Sequence, residues 1–424
     1  MLDTLNTQSF GRLVQKLEPG IVVLLFIILW DFNLPPFLPG ATYSLIKAGS
    51  YVVVFFLAVR RWKQILYIAT RDITLCLLVV LAMASFLWSA NPASTSIEVR
   101  ALVRTCILGA YLAAYYTPRE QMQLLAWVFG ISGLLSVAAA LALPTYGISV
   151  TNGVNTWQGI FLHKQYLARS MTMGAVLFLL NVFDSKRSRW IALIGFSLAI
   201  GLILLSTSKS ALVFILLSLS LLPLSWFIKQ NYKLQVVLYL VSLLVAGSVA
   251  IILITNLETI VVDQLGKDMD FNGRVPIWNL CLDKIWERPL LGYGYAGFWT
   301  SEESLYVINN SWASGEARNS RFHAHNGFIE VLLSLGWLGG SLFIINFITV
   351  LTRVVTINSS TKTKESFWYL QFLTISIFYN LTEVGTIVSN HLIWALYVSI
   401  ALSTALQQER IKRRRYLDVA LNST

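Results

Sequence analysis

The stretch that decides the fold runs from Asn326 to Val350 and reads NGFIEVLLSLGWLGGSLFIINFITV. It is apolar over roughly the 17–25 residues that an α-helix needs to cross the hydrocarbon core of a bilayer. Similar runs recur along the chain, whereas the alternating segments of about ten residues that are typical of a membrane β-barrel do not. The sequence therefore predicts an all-α polytopic membrane protein.

The composition agrees with this prediction. The 424 residues are 56% hydrophobic and 12% charged, and the mean hydropathy is +0.65. These values exclude a water-soluble globule for most of the chain. About twelve transmembrane helices are expected, at 20–37, 41–59, 72–89, 99–116, 121–143, 165–183, 190–206, 210–228, 234–255, 326–350, 367–384 and 388–407.

The cationic residues predict the orientation of these spans, because Lys and Arg accumulate in short cytoplasmic loops. With the N-terminus inside, most of the 32 Lys and Arg lie on the inner side, including the tail from Arg410 to Arg415. Both termini are then cytoplasmic. The net charge of +11 is explained by this orientation, and nucleic acid is not an expected partner. The predicted organisation is nine spans in 1–255, a long outer loop in 256–325, and three spans with a basic cytoplasmic tail in 326–424.

An amphipathic helix is expected inside the long loop. From Gly273 onward, Val275, Trp278, Leu282 and then Ile285 or Trp286 recur at helical intervals. Such a stripe fits a helix that lies against the bundle or against the lipid surface.

His325 is the first candidate for chemistry, because it lies where the long loop meets the tenth span. Unsatisfied N–H groups and the helix dipole disfavour a positive charge there, so a neutral imidazole could accept a proton as a general base. The alternative is a helix-capping or interfacial histidine. His323, two residues earlier, is interpreted as a loop residue with a weaker tie to the helix.

Two cations are candidates for binding an anion. Arg274, at the start of the amphipathic helix, could fork onto phosphate oxygens, or it could be a snorkelling surface residue. Lys209 lies in the tight turn Ser206-Thr-Ser-Lys-Ser210 between two apolar runs, so its charge must face water or an anion. Diphosphate would explain the excess of cations on the outer face, whereas snorkelling explains each of them singly. The further members of this outer-face set are Arg100, Arg104, His163, Lys164 and Arg169.

Two acids and the metal-binding residue types complete the inventory. Glu383, near the outer end of the eleventh span, could orient an acceptor hydroxyl or pair with a cation. For Glu330, a structural pairing is favoured. The three cysteines and four histidines lack CxxC or HExxH spacing, so no metal site is expected, and no P-loop is present to bind a nucleotide.

Six short motifs, in this order along the chain, resemble the O-antigen ligase and polymerase superfamily of bacterial envelope glycan enzymes. The segment before the sixth span is particularly similar to exopolysaccharide polymerases of the succinoglycan type. The motifs are Phe86-Leu-Trp-Ser-Ala-Asn-Pro92, Trp157-Gln-Gly-Ile-Phe-Leu-His-Lys164, Ser206-Thr-Ser-Lys-Ser-Ala211, Gly273-Arg-Val-Pro-Ile-Trp278, Pro289-Leu-Leu-Gly-Tyr-Gly294 and His325-Asn-Gly-Phe-Ile-Glu330.

The resemblance implies a GT-C-like bundle that needs no metal or other cofactor. In such a bundle, a glycan on undecaprenyl diphosphate passes to an acceptor hydroxyl at the periplasmic face of the bacterial inner membrane. It maps diphosphate binding onto Arg274 and Lys209 and the catalytic base onto His325. Lys209 departs from the family's usual arginine and loses the bidentate fork. The residues considered for binding the acceptor are His163, Arg321, His323 and Glu383.

The acceptor remains open at this point. A polymerase would extend the chain on another lipid-linked repeat, and a ligase would transfer it to lipid A core. Polymerase is favoured by the Trp157–Lys164 similarity. A transporter or flippase is the alternative of another class. The expected partners are the undecaprenyl-diphosphate-linked glycan, a sugar or lipid-linked acceptor, membrane lipid and a chain-length regulator.

Overall fold

The computed structural model describes residues 16–28, 40–151, 153–182, 189–221, 237, 241, 274–314, 322–389 and 391–422. The chain divides into two compact units. The first unit comprises Met1–Arg60, Tyr115–Leu219 and Asn390–Leu392, and the second comprises Arg61–Ala114, Ser220–Ser389 and Ile393–Thr424.

The described residues are mostly helical. Short 3₁₀ helices occupy Ser85–Trp88, Glu302–Ser304 and Trp312–Ser314. In chain order, the remaining elements are α1 (16–28), α2 (Gly40–Arg60), α3 (Trp62–Ala69), α4 (Ile73–Ala84), α5 (Pro92–Tyr115), α6 (Pro118–Ala142), α7 (Pro144–Gly147), β1 (Ile148–Thr151), β2 (Val154–Trp157), α8 (Lys164–Val182), α9 (Arg189–Leu205), α10 (Lys209–Ser220), α11 (Arg274–Glu287), α12 (Leu305–Asn309), α13 (Gly327–Thr361), α14 (Lys364–Thr382) and α15 (Leu392–Asn422).

Two of the described helices, α6 and α13, are long and apolar enough to cross a membrane, by length and composition. A third candidate is α3 joined to Ile73–Trp88, a pair bent by 103°. The helices α9 and α10 are apolar but shorter. A mostly helical membrane protein is thus supported, while the number of twelve spans stays a prediction. The expected span at 234–255 lies almost entirely outside the described residues.

The start of α6 shows how local sequence fixes a helix boundary. The Thr117 side chain accepts a hydrogen bond from the Glu120 N–H, and the Glu120 carboxylate accepts one from the Thr117 N–H at 2.8 Å. Pro118 follows at the first helical position, where its missing N–H costs nothing. This capping box begins α6 three residues before the predicted span.

A buried ion pair joins two helices of the second unit. Asp72 caps α4 by accepting a hydrogen bond from the Leu75 N–H. The same carboxylate pairs with Arg353 and accepts a bond from Asn346 at 2.8 Å, both on α13. Removing one partner of such a pair would leave an uncompensated buried charge. The pair therefore fixes α4 against α13.

The Pro289–Gly294 motif packs against a kink in α13. Gly336 has a φ of +62°, and a Cβ there would lie 2.3 Å from the Leu290 carbonyl oxygen. The Trp337 N–H donates to the Pro289 carbonyl at 2.7 Å, and the Tyr293 N–H donates to the Leu333 carbonyl at 2.8 Å. The motif therefore pairs with backbone groups at the kink, and its position on α13 is fixed.

The motif that ends at Pro92 docks onto the same loop. The Ala90 N–H donates to the Tyr293 carbonyl at 2.8 Å, and the Trp88 indole N–H donates to the Leu291 carbonyl at 3.0 Å. Two motifs far apart in sequence thus form one backbone-to-backbone contact in the second unit.

The amphipathic helix expected in the long loop is present as α11. Ile285 of the predicted stripe is buried, but the rest of the packed face differs from the prediction. Leu282 is 40% exposed and Trp286 is 68% exposed. The buried stripe follows i, i+4, i+8 spacing instead, because it packs on the loop's own hydrophobic cluster and on α13. Sequence periodicity does not say which of two apolar stripes faces protein. The buried members of this cluster are Ile277, Cys281, Ile285, Tyr293, Phe298, Val307, Ala324 and Leu333.

A small β-hairpin in the first unit departs from the all-α prediction. It lies in the expected outer loop between the fifth and sixth spans and pairs Ile148 with Trp157 in antiparallel register. The Ser149 and Thr156 hydroxyls meet across the strands at 3.0 Å. Gly153, with a φ of +73°, follows an asparagine, and Asn-Gly is the dipeptide favoured in two-residue hairpin turns. This local signal was available in the sequence.

Candidate functional site

The histidine segment is fixed by the start of α13. Asn326 caps the helix, and its side-chain oxygen accepts hydrogen bonds from the N–H groups of Phe328 and Ile329 at 3.0 and 3.3 Å. His325 lies just outside the helix with a φ of +50°. The left-handed region is unfavourable for a residue with a Cβ, and such conformations concentrate at functional sites. The predicted position of His325 at the start of this helix is confirmed.

Glu383 brings three candidate residues of the second unit together. It follows the last residue of α14, and its side chain is 9% exposed. Its Oε1 lies 3.3 Å from Nδ1 of His325 and its Oε2 lies 3.5 Å from Nε2 of His323. The Arg274 Nη2 lies 3.6 Å from Oε1. Of the two roles considered for Glu383, the structure shows pairing with a cation.

Arg274 is the first residue of α11, and its side chain is 20% exposed. A guanidinium carries five N–H donors, so it can contact more than one anion. The site therefore combines an imidazole, a carboxylate and a permanent positive charge.

His323 and His325 lie against each other. Their ring centroids lie 4.1 Å apart, and the backbone N–H of His325 donates a hydrogen bond to Nδ1 of His323 at 3.3 Å. Burial, with smaller contributions from neighbouring His325 and Arg274, lowers the pKa of His323 to about 4 against the opposing effect of Glu383. His323 is therefore neutral at pH 7. The sequence predicted a loop residue at this position, whereas the structure places His323 in contact with the site.

The same three residues form a group that could hold a metal ion. One ligand atom each from His323, His325 and Glu383 lie within 4.8 Å of one another. Two imidazoles and a carboxylate are suitable zinc ligands. Sequence spacing did not indicate this group, because Glu383 is 58 residues from His325. The expectation of no metal stays a prediction.

Glu330 makes the structural pairing that was favoured for it. Its carboxylate accepts hydrogen bonds from the Trp299 indole N–H at 3.0 and 2.9 Å and from the Ala324 N–H at 3.2 Å. Glu330 therefore links α13 to the long loop and to the histidine segment. Trp299 was not singled out from sequence, since nothing in its local pattern marks it.

A second group of predicted cations lies in the first unit. The Lys164 Nζ lies 3.5 Å from the Thr207 hydroxyl, in the tight turn that carries Lys209. Lys209 begins α10 and is exposed. Arg169 is buried and donates to the Gln165 side chain at 2.8 Å.

The remaining candidates are not gathered at the Glu383 group. Arg100 donates from Nε to the Ser96 carbonyl of its own helix at 3.1 Å, and Arg104 is buried in α5. His163 is exposed and accepts a hydrogen bond from the Gln165 N–H at 3.3 Å. Arg321 lies outside the described residues. Diphosphate or acceptor binding by these residues stays a prediction.

An apolar pocket of about 170 Å³ lies in the second unit beside the site. Phe328, three residues after His325, contributes to it, and so do Gly385 and Thr386, just after Glu383. Aromatic and aliphatic side chains of α13, α14 and α15 supply most of the wall. The other lining residues are Phe343, Ile344, Phe347, Ile348, Ser376, Ile377, Asn380, Ile393, Trp394 and Tyr397.

Comparison with known proteins shows similarity to one family model and to three relatives. Residues 194–344 match the family model described as O-Antigen ligase. The match includes Lys209, Arg274, His323 and His325 and ends before Glu383. The chain is 22% identical to the exopolysaccharide production protein ExoQ of Rhizobium meliloti (strain 1021) over 255 residues, which cover 58% of this chain and 52% of that protein.

Two Rickettsia proteins are similar over a shorter region. The chain is 32% identical over 130 residues to the Rickettsia felis (strain ATCC VR-1525 / URRWXCal2) protein named "Putative polysaccharide ligase", covering 29% of this chain and 30% of that protein. A Rickettsia prowazekii (strain Madrid E) protein of similar name is 30% identical over 130 residues, with the same two shares. The alignments span about half or less of these relatives' own lengths. Together, the family match and the relatives support an O-antigen ligase/polymerase-like superfamily for this chain.

Proposed function

We propose that this protein transfers a glycan from undecaprenyl diphosphate to a sugar hydroxyl at the outer face of the bacterial inner membrane, as an envelope polysaccharide polymerase. The observation that carries the proposal is the placement of Glu383 between His325 and Arg274, at 3.3 and 3.6 Å. One carboxylate thus contacts both a candidate base and a cation. This arrangement suits the transfer of a glycan from a diphosphate leaving group to a hydroxyl.

The reaction must remove a proton from the acceptor hydroxyl and stabilise the negative charge on the leaving diphosphate. Glu383 contacts Nδ1 of His325, which leaves Nε2 to accept the proton of the attacking acceptor hydroxyl. As the new glycosidic C–O bond forms, the bond from the anomeric carbon to the diphosphate oxygen breaks. Negative charge then develops on the leaving diphosphate, where the guanidinium of Arg274 stabilises it. No metal is required for either step.

The apolar pocket supports a lipid-linked donor. Its wall is built mostly from aromatic and aliphatic side chains, and it includes Phe328, three residues after His325, and Thr386, three residues after Glu383. Burial of apolar chain contributes roughly 25 cal/mol per Å². A prenyl segment seated there would place its diphosphate beside the cation at the helix ends.

Polymerase is proposed over ligase on two grounds. The Trp157–Lys164 segment resembles exopolysaccharide polymerases, and the similarity to ExoQ extends over 255 residues. Ligase is the second candidate, because the Rickettsia relatives carry that word in their names. The polymerase hypothesis implies that a chain-length regulator is a partner. A transporter is disfavoured, because the sequence shows no inverted repeat and few acidic residues within its apolar runs.

The experiment replaces His325 and Arg274 separately by alanine in a strain that lacks the native gene and measures polysaccharide chain length on gels. We expect well-expressed protein without polymer in both. Arg288→Ala is the matched control, because Arg288 lies in the same loop but pairs with Glu303 at 3.1 Å, and it should give normal polymer. Normal polymer from His325→Ala would refute the base assignment.

The material that accumulates on deletion separates the acceptor classes. Single repeat units on lipid A indicate a lost polymerase, whereas long undecaprenyl-linked polymer indicates a lost ligase. Unchanged surface glycan with a loss of solute uptake would instead support a transporter.

A further inference from the structure

Ala324, the residue between the two histidines, is held at both of its peptide groups. Its N–H donates to Oε2 of Glu330 at 3.2 Å, and its carbonyl accepts from the indole N–H of Trp278 at 2.8 Å. Ala324 is 1% exposed, so water is a poor substitute for either partner. Buried backbone groups need such partners. The histidine segment is thus tied to α11 at one point and to α13 at the other.

These two contacts matter because the adjacent residue is in a strained conformation. His325 has a φ of +50°, where a side chain with a Cβ is disfavoured. Conformations of this kind persist only when the surrounding structure fixes them. With both peptide groups of Ala324 held, the backbone cannot relax without breaking a buried hydrogen bond.

Glu330 also reaches the ring environment of His325. Its Oε2 accepts from the Trp299 indole N–H at 2.9 Å as well as from Ala324. The Trp299 ring packs edge-on against Phe322, with centroids 5.0 Å apart, and Phe322 lies edge-on to His325 at 6.1 Å. One carboxylate oxygen therefore fixes the backbone beside His325 and the aromatic side chain that borders its ring.

We propose that Trp278 and Glu330 are positioning residues that clamp Ala324 and thereby orient the His325 imidazole toward Glu383. Neither residue acts on the substrate. Trp278 lies one helical turn after Arg274 on α11, so the same helix supplies the cation and one half of the clamp. The inference rests on the proposed function only for the role of His325 as a base.

Three substitutions separate the clamp from general packing. Trp278→Phe keeps an aromatic ring and removes the N–H donor. Glu330→Leu removes the acceptor, whereas Glu330→Gln keeps one oxygen, and a single oxygen at the Oε2 position serves both donors. The matched control is Trp88→Phe, which removes an indole bond of similar length, 3.0 Å to the Leu291 carbonyl, in the same unit.

In transfer assays with purified protein, we expect Trp278→Phe and Glu330→Leu to lower kcat by roughly 10–100-fold with little change in KM, since small misplacements of a reacting group have effects of this size. Glu330→Gln and Trp88→Phe should stay within about threefold of the unmodified protein. A purely structural role would affect Trp278→Phe and Trp88→Phe alike, and that result would overturn the proposal. So would a loss in Glu330→Gln as large as in Glu330→Leu.

A second measurement does not depend on transferase activity. Diethyl pyrocarbonate acylates accessible neutral imidazole, and peptide mass spectrometry gives the rate at His325 itself. We expect this rate to change severalfold in Trp278→Phe and Glu330→Leu and to be unchanged in Trp88→Phe and Glu330→Gln. An unchanged rate in both clamp variants would refute the positioning role. Because the readout is the imidazole, it tests the clamp even if the protein proves not to be a transferase.

Discussion

Oε1 of Glu383 lies 3.3 Å from Nδ1 of His325, across 58 residues of chain. The same oxygen lies 3.6 Å from the Arg274 guanidinium. A carboxylate in this position fixes the tautomer of the imidazole and limits its rotation. It also keeps a cation within reach of the base, so the three side chains are expected to act as one group.

Replacing Glu383 by glutamine should lower kcat by roughly 10²-fold or more, because the amide no longer favours the tautomer in which Nε2 accepts a proton. Turnover with purified protein and a lipid-linked donor measures this. Asp283→Asn is the control, since Asp283 is a loop carboxylate near the Tyr306 hydroxyl at 3.4 Å and lies outside the site. Full activity of Glu383→Gln would contradict the orienting role.

Arg274 and Glu383 should show energetic coupling. In a double-mutant cycle with Arg274→Ala and Glu383→Gln, we expect the effects on kcat/KM to deviate from additivity by about 0.5–3 kcal/mol, as residues in direct contact do. Arg274→Lys should recover only part of the activity, because an ammonium lacks the bidentate fork. Strictly additive effects would mean that the 3.6 Å contact has no part in transfer.

The pKa of His323 predicts how stability depends on pH. Burial and the neighbouring His325 and Arg274 lower this pKa from 6.5 to about 4 in the folded protein. Between these values the unfolded chain binds more protons, so the contribution of His323 is complete above pH 6.5 and is lost as the pH falls toward 4. Below 4 it changes no further.

The Tm in detergent between pH 7.5 and 4 measures this contribution. His323→Gln should show a shallower decline than the unmodified protein over that interval. His163→Gln serves as the control, since His163 is exposed, and its profile should follow the unmodified protein. Parallel profiles for all three proteins would contradict a buried neutral His323.

Transition metals are expected to inhibit, and chelators are not. His323, His325 and Glu383 place three ligand atoms within 4.8 Å, a set that suits Zn²⁺ better than Mg²⁺. Added Zn²⁺ should therefore occupy the imidazole nitrogens and slow transfer, while EDTA and Mg²⁺ leave the rate unchanged. His323→Ala should raise the concentration of Zn²⁺ needed for half inhibition. Loss of activity in EDTA would show that a metal is required after all.

A bulky side chain placed in the apolar pocket should affect the KM for lipid-linked donors according to the length of their prenyl chain. Ser376 lines the pocket from α14, and Ser376→Phe would occupy part of its volume. We expect a raised KM for long prenyl donors and a smaller change for short ones, because only the long chains need the whole pocket. Leu381→Phe, at a position of α14 that is 43% exposed, is the control. Equal effects on long and short donors would place the prenyl chain elsewhere.

Several elements were predictable because their signals are local. The apolar run after Asn326 and the capping asparagine define the start of α13, and the turn at Ser206–Ser210 separates α9 from α10 as expected. The buried face of α11 was not predictable. Two apolar stripes wind around that helix, and the choice between them depends on the cluster that Tyr293 and Phe298 build beside it.

The sequence by itself determined a helical membrane protein and pointed to candidate reacting groups, since hydropathy, capping and residue chemistry depend on neighbours along the chain. It also placed His325 at a helix start and Arg274 at the head of a loop helix. Only the tertiary structure decided that Glu383 joins them and that Trp278 and Glu330 hold Ala324. Most of those contacts join residues that lie 46 or more apart in the chain, and they depend on how helices pack, which spacing along the chain does not encode.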